Sequence, residues 1–242
     1  MKVAIIGRSE ILFSTVELFL KNNFEVPIII TFKEAPEYKK TSKDFKNLAK
    51  KIKARFIYTN KIEKYIYEIK KAKCEIGISL NYTNKISQNV IDKFKLGILN
   101  AHGGDLPKYR GNACQAWAIL NGEKKIGLCI HSMLGNQLDA GNIISREYMD
   151  LNINTKILNC IDWMSERTPY LFLKSIKKLK KKIKNFLSKK IQKYTKVLLD
   201  VIQEFQKMEK LIGVNLIEKF CELLMPQTNL TVELTVYIKT KS

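Results

Sequence analysis

The sequence predicts an α/β protein: a Rossmann-like, doubly wound and mostly parallel sheet, followed by a helical, basic C-terminal segment. Three observations predict it. Short apolar runs alternate with helical patterns from the first residues onward, the first run stops at a glycine, and from about Thr155 the pattern turns helical and lysine-rich. Strands that alternate with helices must be joined by crossovers and therefore lie parallel.

Residues 2–6, KVAII, form a continuous apolar run ending at Gly7, as expected of a strand buried on both faces. A helix follows. Ile11, Leu12, Val16, Leu18, Phe19 and Leu20 recur at helical spacing, and Ser9 is expected to cap it by accepting a backbone N–H. The unit then repeats as strand EVPIIIT (25–31), a helix capped near Ser42, strand ARFIYT (54–59), a helix over 61–72, and strand EIGISL (75–80). A helix near Gln88–Phe94 leads into GILNAHGG (97–104), another spans about 113–120, and IGLCIHSML (126–134) and NIISREYMDL (142–151) close the sheet. This places a core at 1–155 and a helical segment at 156–242. The first turn, G-R-S-E-I-L, lacks G-x-G-x-x-G and no Walker pattern occurs, so dinucleotide and P-loop assignments have no local support.

A length of 242 residues suits one core and an appendage. No apolar run approaches the roughly 18–20 residues that span a bilayer, and MKVAIIGRSE lacks the pattern of a secretory signal, so a cytoplasmic location is expected. Cys74, Cys114, Cys129, Cys160 and Cys221 include no C-x-x-C pair and read as small buried hydrophobes; with only His102 and His131 beside them, no metal site is expected. The net charge of +20 raises the question of nucleic acid. Lysine is abundant throughout, however, and the densest run, Lys174–Lys196, reads as solvated helix lysines in an AT-rich coding sequence, so nucleic acid is not the expected partner.

The informative segment is Asn100–Glu123, beginning where a central strand should end, and open α/β sheets bind ligands at the carboxyl ends of their strands. Asn100 and His102 stand two apart and share a strand face, which points an amide and an imidazole into one pocket, while Gly103 and Gly104 let the chain turn beside it. Alone, N-x-H fits a capping Asn and a structural His better. His131, mid-strand, reads as a core histidine.

The neighbouring blocks change that reading. L-P-x-x-R-G (Leu106–Gly111), W-A-I-L-N-G-E (Trp117–Glu123), G-L-C-I-H-x-M (Gly127–Met133) and L-D-A-G-N-I-I (Leu138–Ile144) follow in order. With N-x-H they resemble the folate-dependent formyltransferase family, which includes methionyl-tRNA, glycinamide-ribonucleotide and nucleotide-sugar enzymes. Gly104 stands where many members carry Ser, and Asp105 where many carry Leu. The resemblance implies 10-formyltetrahydrofolate as co-substrate, no metal, and Asn100, His102 and Asp139 as the catalytic trio. Residue chemistry agrees: an amide N–H suits a developing oxyanion, an imidazole can take the proton of an attacking amine, and a carboxylate can orient that imidazole. The family pattern also puts the pterin between 78–87 and Leu134–Gly141, giving Leu80, Asn81, Tyr82, Leu138, Asp139 and Gly141 as contacts; Tyr82 equally fits a packed aromatic. Lys108 and Arg110 fit an acceptor's phosphates or plain surface charges, and Arg8 and Ser9 an acceptor contact or a cap.

Within the family, L-P-x-x-R-G with Arg110 differs from the purine-pathway pattern, and the methionyl-tRNA enzymes carry a further C-terminal domain with no visible counterpart here. The branch this implies formylates amines of nucleotide-linked dideoxy sugars for surface polysaccharide such as lipopolysaccharide, with a homodimer built through C-terminal elements. A methionyl-tRNA enzyme and an inactive homologue acting as a binding module are the alternatives. The family's I-D-W and R-A-F-D-x-P segments are missing from the tail, yet Lys210–Val214 and Cys221–Leu234 permit them in a shifted reading frame. A frameshift between about 175 and 205 is therefore expected to have replaced the tail.

Overall fold

The computed structural model describes residues 1–212, and the shifted-frame reading of Cys221–Leu234 lies outside them. The strands are β1 (Lys2–Gly7), β2 (Glu25–Thr31), β3 (Arg55–Tyr58), β4 (Ile76–Leu80), β5 (Ile98–His102), β6 (Lys125–Ser132) and β7 (Ile143–Asp150). The helices are α1 (Glu10–Lys21), α2 (Ser42–Lys51), α3 (Ile66–Lys71), α4 (Gln88–Ile91), α5 (Cys114–Leu120) and α6 (Ile157–Ile212). The strands form one sheet in the order β3-β2-β1-β4-β5-β6-β7. Pairing is parallel from β3 through β5 and antiparallel at β5–β6 and β6–β7. The expected doubly wound, mostly parallel sheet is thus present, with two antiparallel strands on one edge. The chain order reverses between β1 and β4, the position at which open sheets leave a crevice beyond their carboxyl ends.

Alternation along each strand sends neighbouring residues to opposite faces, and both faces are covered. On one, Ile5, Ile29, Ile78 and Leu99 pack with Leu12, Val16 and Phe19 of α1 and with Phe45 of α2. Cys160, Met164, Leu171, Phe172 and Ile176 of α6 enter that same core, so the start of the long helix is part of the sheet's packing. On the other face, Ala4, Ile6, Ile28, Ile30 and Ile98 pack with Ile62, Ile69, Val90 and Phe94. The Arg167–Glu147 ion pair at 2.9 Å further fastens α6 to β7.

Local chemistry corrects two sequence expectations and bears out a third. Ser9 precedes α1 but makes no side-chain cap: its backbone sits at φ 97°, and its Oγ is buried without a partner. The cap of α2 falls beside Ser42 as expected, at Thr41, in a reciprocal box with Asp44. The helix expected over 61–72 is a 3-10 turn, Ile62–Tyr65, followed by α3. The chain divides by contact into residues 1–180 and 181–242; the described helix of the second unit exposes Phe186, Leu187, Ile191 and Tyr194. Among the described residues no helix is long and apolar enough to cross a membrane.

Candidate active site

Asn100 and His102 occupy the carboxyl end of β5, and the antiparallel register sets His131 of β6 directly opposite Asn100, on the same face. Asp139 arrives from the β6–β7 connection with φ 47°, a left-handed conformation unusual for a residue with a side chain. Its carboxylate is the hub. Oδ2 lies 3.4 Å from His102 Nδ1 and accepts the Gly111 N–H at 3.1 Å, while Oδ1 lies 3.4 Å from His131 Nε2 and 3.5 Å from Asn100 Nδ2. Asp139 and His102 are 8% and 7% exposed, so these contacts act away from bulk screening.

The hydrogen bonds set the protons. His102 Nε2 lies 2.6 Å from the Tyr109 carbonyl, which can only accept, so Nε2 carries the hydrogen and the neutral ring turns the lone pair of Nδ1 towards Asp139. His131 Nδ1 similarly donates to the Ser132 carbonyl at 2.9 Å, and its Nε2 lies 3.2 Å from the Asn100 amide nitrogen and 3.4 Å from Asp139 Oδ1. The second Asn100 N–H reaches Asp139 only at 3.5 Å, at the limit of a hydrogen bond, and is the donor most readily given up to a ligand. Burial pushes the His102 imidazole below its ordinary value, against the pull of Asp139 and the Tyr109 carbonyl. Burial alone would raise the Asp139 carboxyl, but His131, the His102 ring and the Gly111 N–H together hold it below the usual carboxylate range. Burial thus favours the neutral imidazole, while the Asp139 carboxylate beside Nδ1 favours a proton there.

Asn100 and His102 share one face as their spacing implies, and Asp139 joins them as the family resemblance implies. His131 is buried as expected of a core histidine, at 1% exposure, but its ring also supports the trio; the register opposite Asn100 was the signal that could have found it. Cys114 at the start of α5, expected only as a buried hydrophobe, sets its Sγ 3.5 Å from His102 Nε2. Glycine is required in two places here: a Cβ on Gly104 would stand 2.7 Å from His102 Nε2, and one on Gly141 would overlap the Ser132 carbonyl oxygen.

The remaining candidates spread around this centre. Leu138 is 59% exposed beside Gly111, whereas Leu80 is buried, with its carbonyl accepting from the Arg8 N–H. Asn81 is exposed at φ 54°. Tyr82 packs edge-on against Phe32 with its hydroxyl accepting from the Ile62 N–H, the packed-aromatic alternative, and burial pushes its phenol up to about 12. Arg8 stacks over Phe32 at 4.5 Å and donates to the carbonyls of Lys33 and Asn81, tying three loops together. Lys108 pairs with Glu123, and Arg110 is exposed. No group of metal-ligating side chains occurs among the described residues.

A mixed, doubly wound sheet thus brings an Asn, a His and an Asp together beyond a central strand, the place where open α/β sheets bind ligands. Residues 1–160 match the formyl transferase family model, and the chain belongs to that family. It is 29% identical over 145 residues to the methionyl-tRNA formyltransferase of Malacoplasma penetrans, covering 59% of this chain and 45% of that one, so it spans less than half of that relative's length. Among solved structures it is similar to the N-formyltransferase from Helicobacter canadensis in complex with folinic acid and dTDP-3-aminofucose, with 26% identity, a TM-score of 0.59, and coverage of 75% of this chain and 65% of that one. It also shares the fold of phosphoribosylglycinamide formyltransferase from Bacillus halodurans, at 16% identity, a TM-score of 0.61, and coverage of 74% and 95%.

Proposed function

We propose that this protein transfers a formyl group from 10-formyltetrahydrofolate to the amine of a nucleotide-linked amino-dideoxy sugar. The convergence of Asn100, His102 and Asp139 at the end of β5 carries this reading. The neutral amine attacks the formyl carbon, forming a C–N bond and a tetrahedral oxyanion. Asn100 releases its long contact with Asp139 and donates an N–H to that oxygen. His102 takes the amine's proton at Nδ1, where the charged ring gains its ion pair with Asp139. Collapse breaks the bond to N10 of the folate, the proton held on His102 passes to N10, and tetrahydrofolate leaves with the imidazole neutral again. The pterin is assigned to the crevice between the end of β4 and the loop after it, including Leu80, Asn81 and Tyr82, and the loop Leu138–Gly141. Arg110 and the exposed edge of the 105–111 loop are assigned to the acceptor; Lys108 joins them by exchanging Glu123 for a phosphate.

The sugar acceptor is supported by the Helicobacter canadensis enzyme, whose complex holds dTDP-3-aminofucose. A second reading, formylation of methionyl-tRNA, has its own support in the likeness to the methionyl-tRNA formyltransferase of Malacoplasma penetrans. A discontinuous assay with 10-formyltetrahydrofolate against dTDP-, UDP- and GDP-linked amino sugars and against charged initiator tRNA separates them. Turnover of a sugar nucleotide, abolished in Asn100→Ala and His102→Ala, is the expected result. Turnover of tRNA alone would replace the acceptor, and no turnover of either would overturn the activity.

A further inference from the structure

The segment Asp105–Gly111 lies over His102 and is tied down at three places. Arg146 of β7 pairs with Asp105 at 3.2 Å and donates to the Leu106 carbonyl, and the Gly111 N–H is held by Asp139. The third tie comes from the turn between α5 and β6. There the Tyr109 hydroxyl donates to Glu123 Oε1 at 2.7 Å and accepts from Asn121 Nδ2 at 3.1 Å, and Lys108 pairs with the same carboxylate. Tyr109 therefore has two attachments: its side chain is held by Glu123 and Asn121, and its carbonyl holds His102 Nε2 at 2.6 Å. The fit is close, since a Cβ on Gly104 would approach the Tyr109 oxygen and His102 Nε2 both to 2.7 Å.

We propose that Glu123 is a positioning residue for His102, acting through Tyr109: by fixing the phenol it keeps the Tyr109 carbonyl on Nε2, which selects the tautomer that leaves Nδ1 facing Asp139. Neither Glu123 nor Asn121 touches the imidazole. Without the tie, the carbonyl is free to leave Nε2, the neutral ring is free to carry its hydrogen on Nδ1 instead, and that nitrogen no longer accepts a proton. The cation also loses an acceptor, so the ring titrates at lower pH. The importance of this for turnover rests on the reading of His102 as the proton acceptor.

The sequence contains only two histidines, so imidazole nitrogen NMR of the full-length protein reads His102 directly, with His131→Asn assigning the signals. Wild type is expected to show a hydrogen on Nε2 and none on Nδ1 in the neutral ring. Glu123→Leu, and the one-atom deletion Tyr109→Phe, are expected to mix the tautomers, to move the His102 titration to lower pH, and to lower kcat about tenfold, the equivalent of a weakened hydrogen bond to a charged group, with KM for the folate unchanged. Glu123→Gln keeps an acceptor for the phenol and restores the wild-type spectrum. A purely structural Glu123 would lower the melting temperature and leave the spectrum alone; an unchanged His102 signal in folded Glu123→Leu and Tyr109→Phe overturns the proposal. Full activity of His102→Ala would sink the catalytic reading separately and leave the spectroscopic coupling standing.

Discussion

Replacing Asp139 by Asn tests the electrostatics of the site with almost no change of shape. The carboxylate meets His102 Nδ1 and His131 Nε2 at 3.4 Å and the Gly111 N–H at 3.1 Å. For a unit charge pair at such a distance, an effective dielectric near 20 gives about 5 kcal/mol of attraction, and desolvation offsets part of it. What the transition state loses is the charge-assisted contact to imidazolium, about 3–4 kcal/mol, or roughly 150- to 1000-fold in kcat. KM for the folate should stay within about threefold. Asp139 is also one of the influences that raise the His102 value against burial, so the limb of the pH–rate profile belonging to His102 should move to lower pH in the variant. Stability gives an independent sign. The folded-state pKa of Asp139 is depressed, so its contribution is present above the unfolded value near 3.9 and is lost as pH falls through the folded value; wild type should therefore lose stability on acidification more steeply than Asp139→Asn. Formyl transfer followed by release of tetrahydrofolate between about pH 5 and 9, with melting curves in the same buffers extended to lower pH, measures both. A variant with kcat within about threefold of wild type and an unmoved pH limb would refute the role given to the carboxylate.

Gly141→Ala would drive a methyl into the Ser132 carbonyl oxygen, forcing the loop that carries Asp139 to shift; activity should fall at least about tenfold while the fold, followed by circular dichroism, is retained. Phe172→Ala removes a fully buried ring where α6 meets the sheet and should cost about 3–5 kcal/mol in denaturant titration, which a small loss would contradict by showing that α6 is not part of the core. Thr41→Ala breaks the reciprocal box of α2 and should cost about 1 kcal/mol with no effect on kcat. His102 is held below its ordinary value, so as pH falls through the unfolded value near 6.5 the unfolded chain takes up a proton that the folded site resists; His102→Gln should flatten the loss of stability between about pH 7 and 5.

The sheet was legible because burial on both faces leaves a plain record: unbroken apolar runs such as KVAII and EIGISL are needed wherever a strand is covered by helices on each side. Asn100 and His102 were legible from a spacing of two, since strand geometry fixes their common face. Caps and short helices were not, because they depend on backbone angles: Ser9 is a good capping residue in a conformation that does not cap, and Asn81 and Asp139 adopt positive φ that no pattern around them announces.

The parts of the site that stayed hidden share a cause. His102 is fixed by the carbonyl of Tyr109 and Asp139 by the N–H of Gly111, and such groups occur in nearly every residue, so their placement leaves no side-chain signature. What the sequence does record is the hardware that puts them there: a glycine at 104 where any Cβ would collide with the His102 ring, a glycine at 141 where one would collide with Ser132, and a tyrosine and a glutamate fourteen residues apart that meet by a hydrogen bond. The proposed chemistry is borne by three side chains, but its geometry is set by backbone groups whose positions depend on residues that never touch the reacting atoms. Substitutions at Gly104, Tyr109 and Glu123 should therefore alter turnover more than substitutions at exposed charges nearer the crevice mouth.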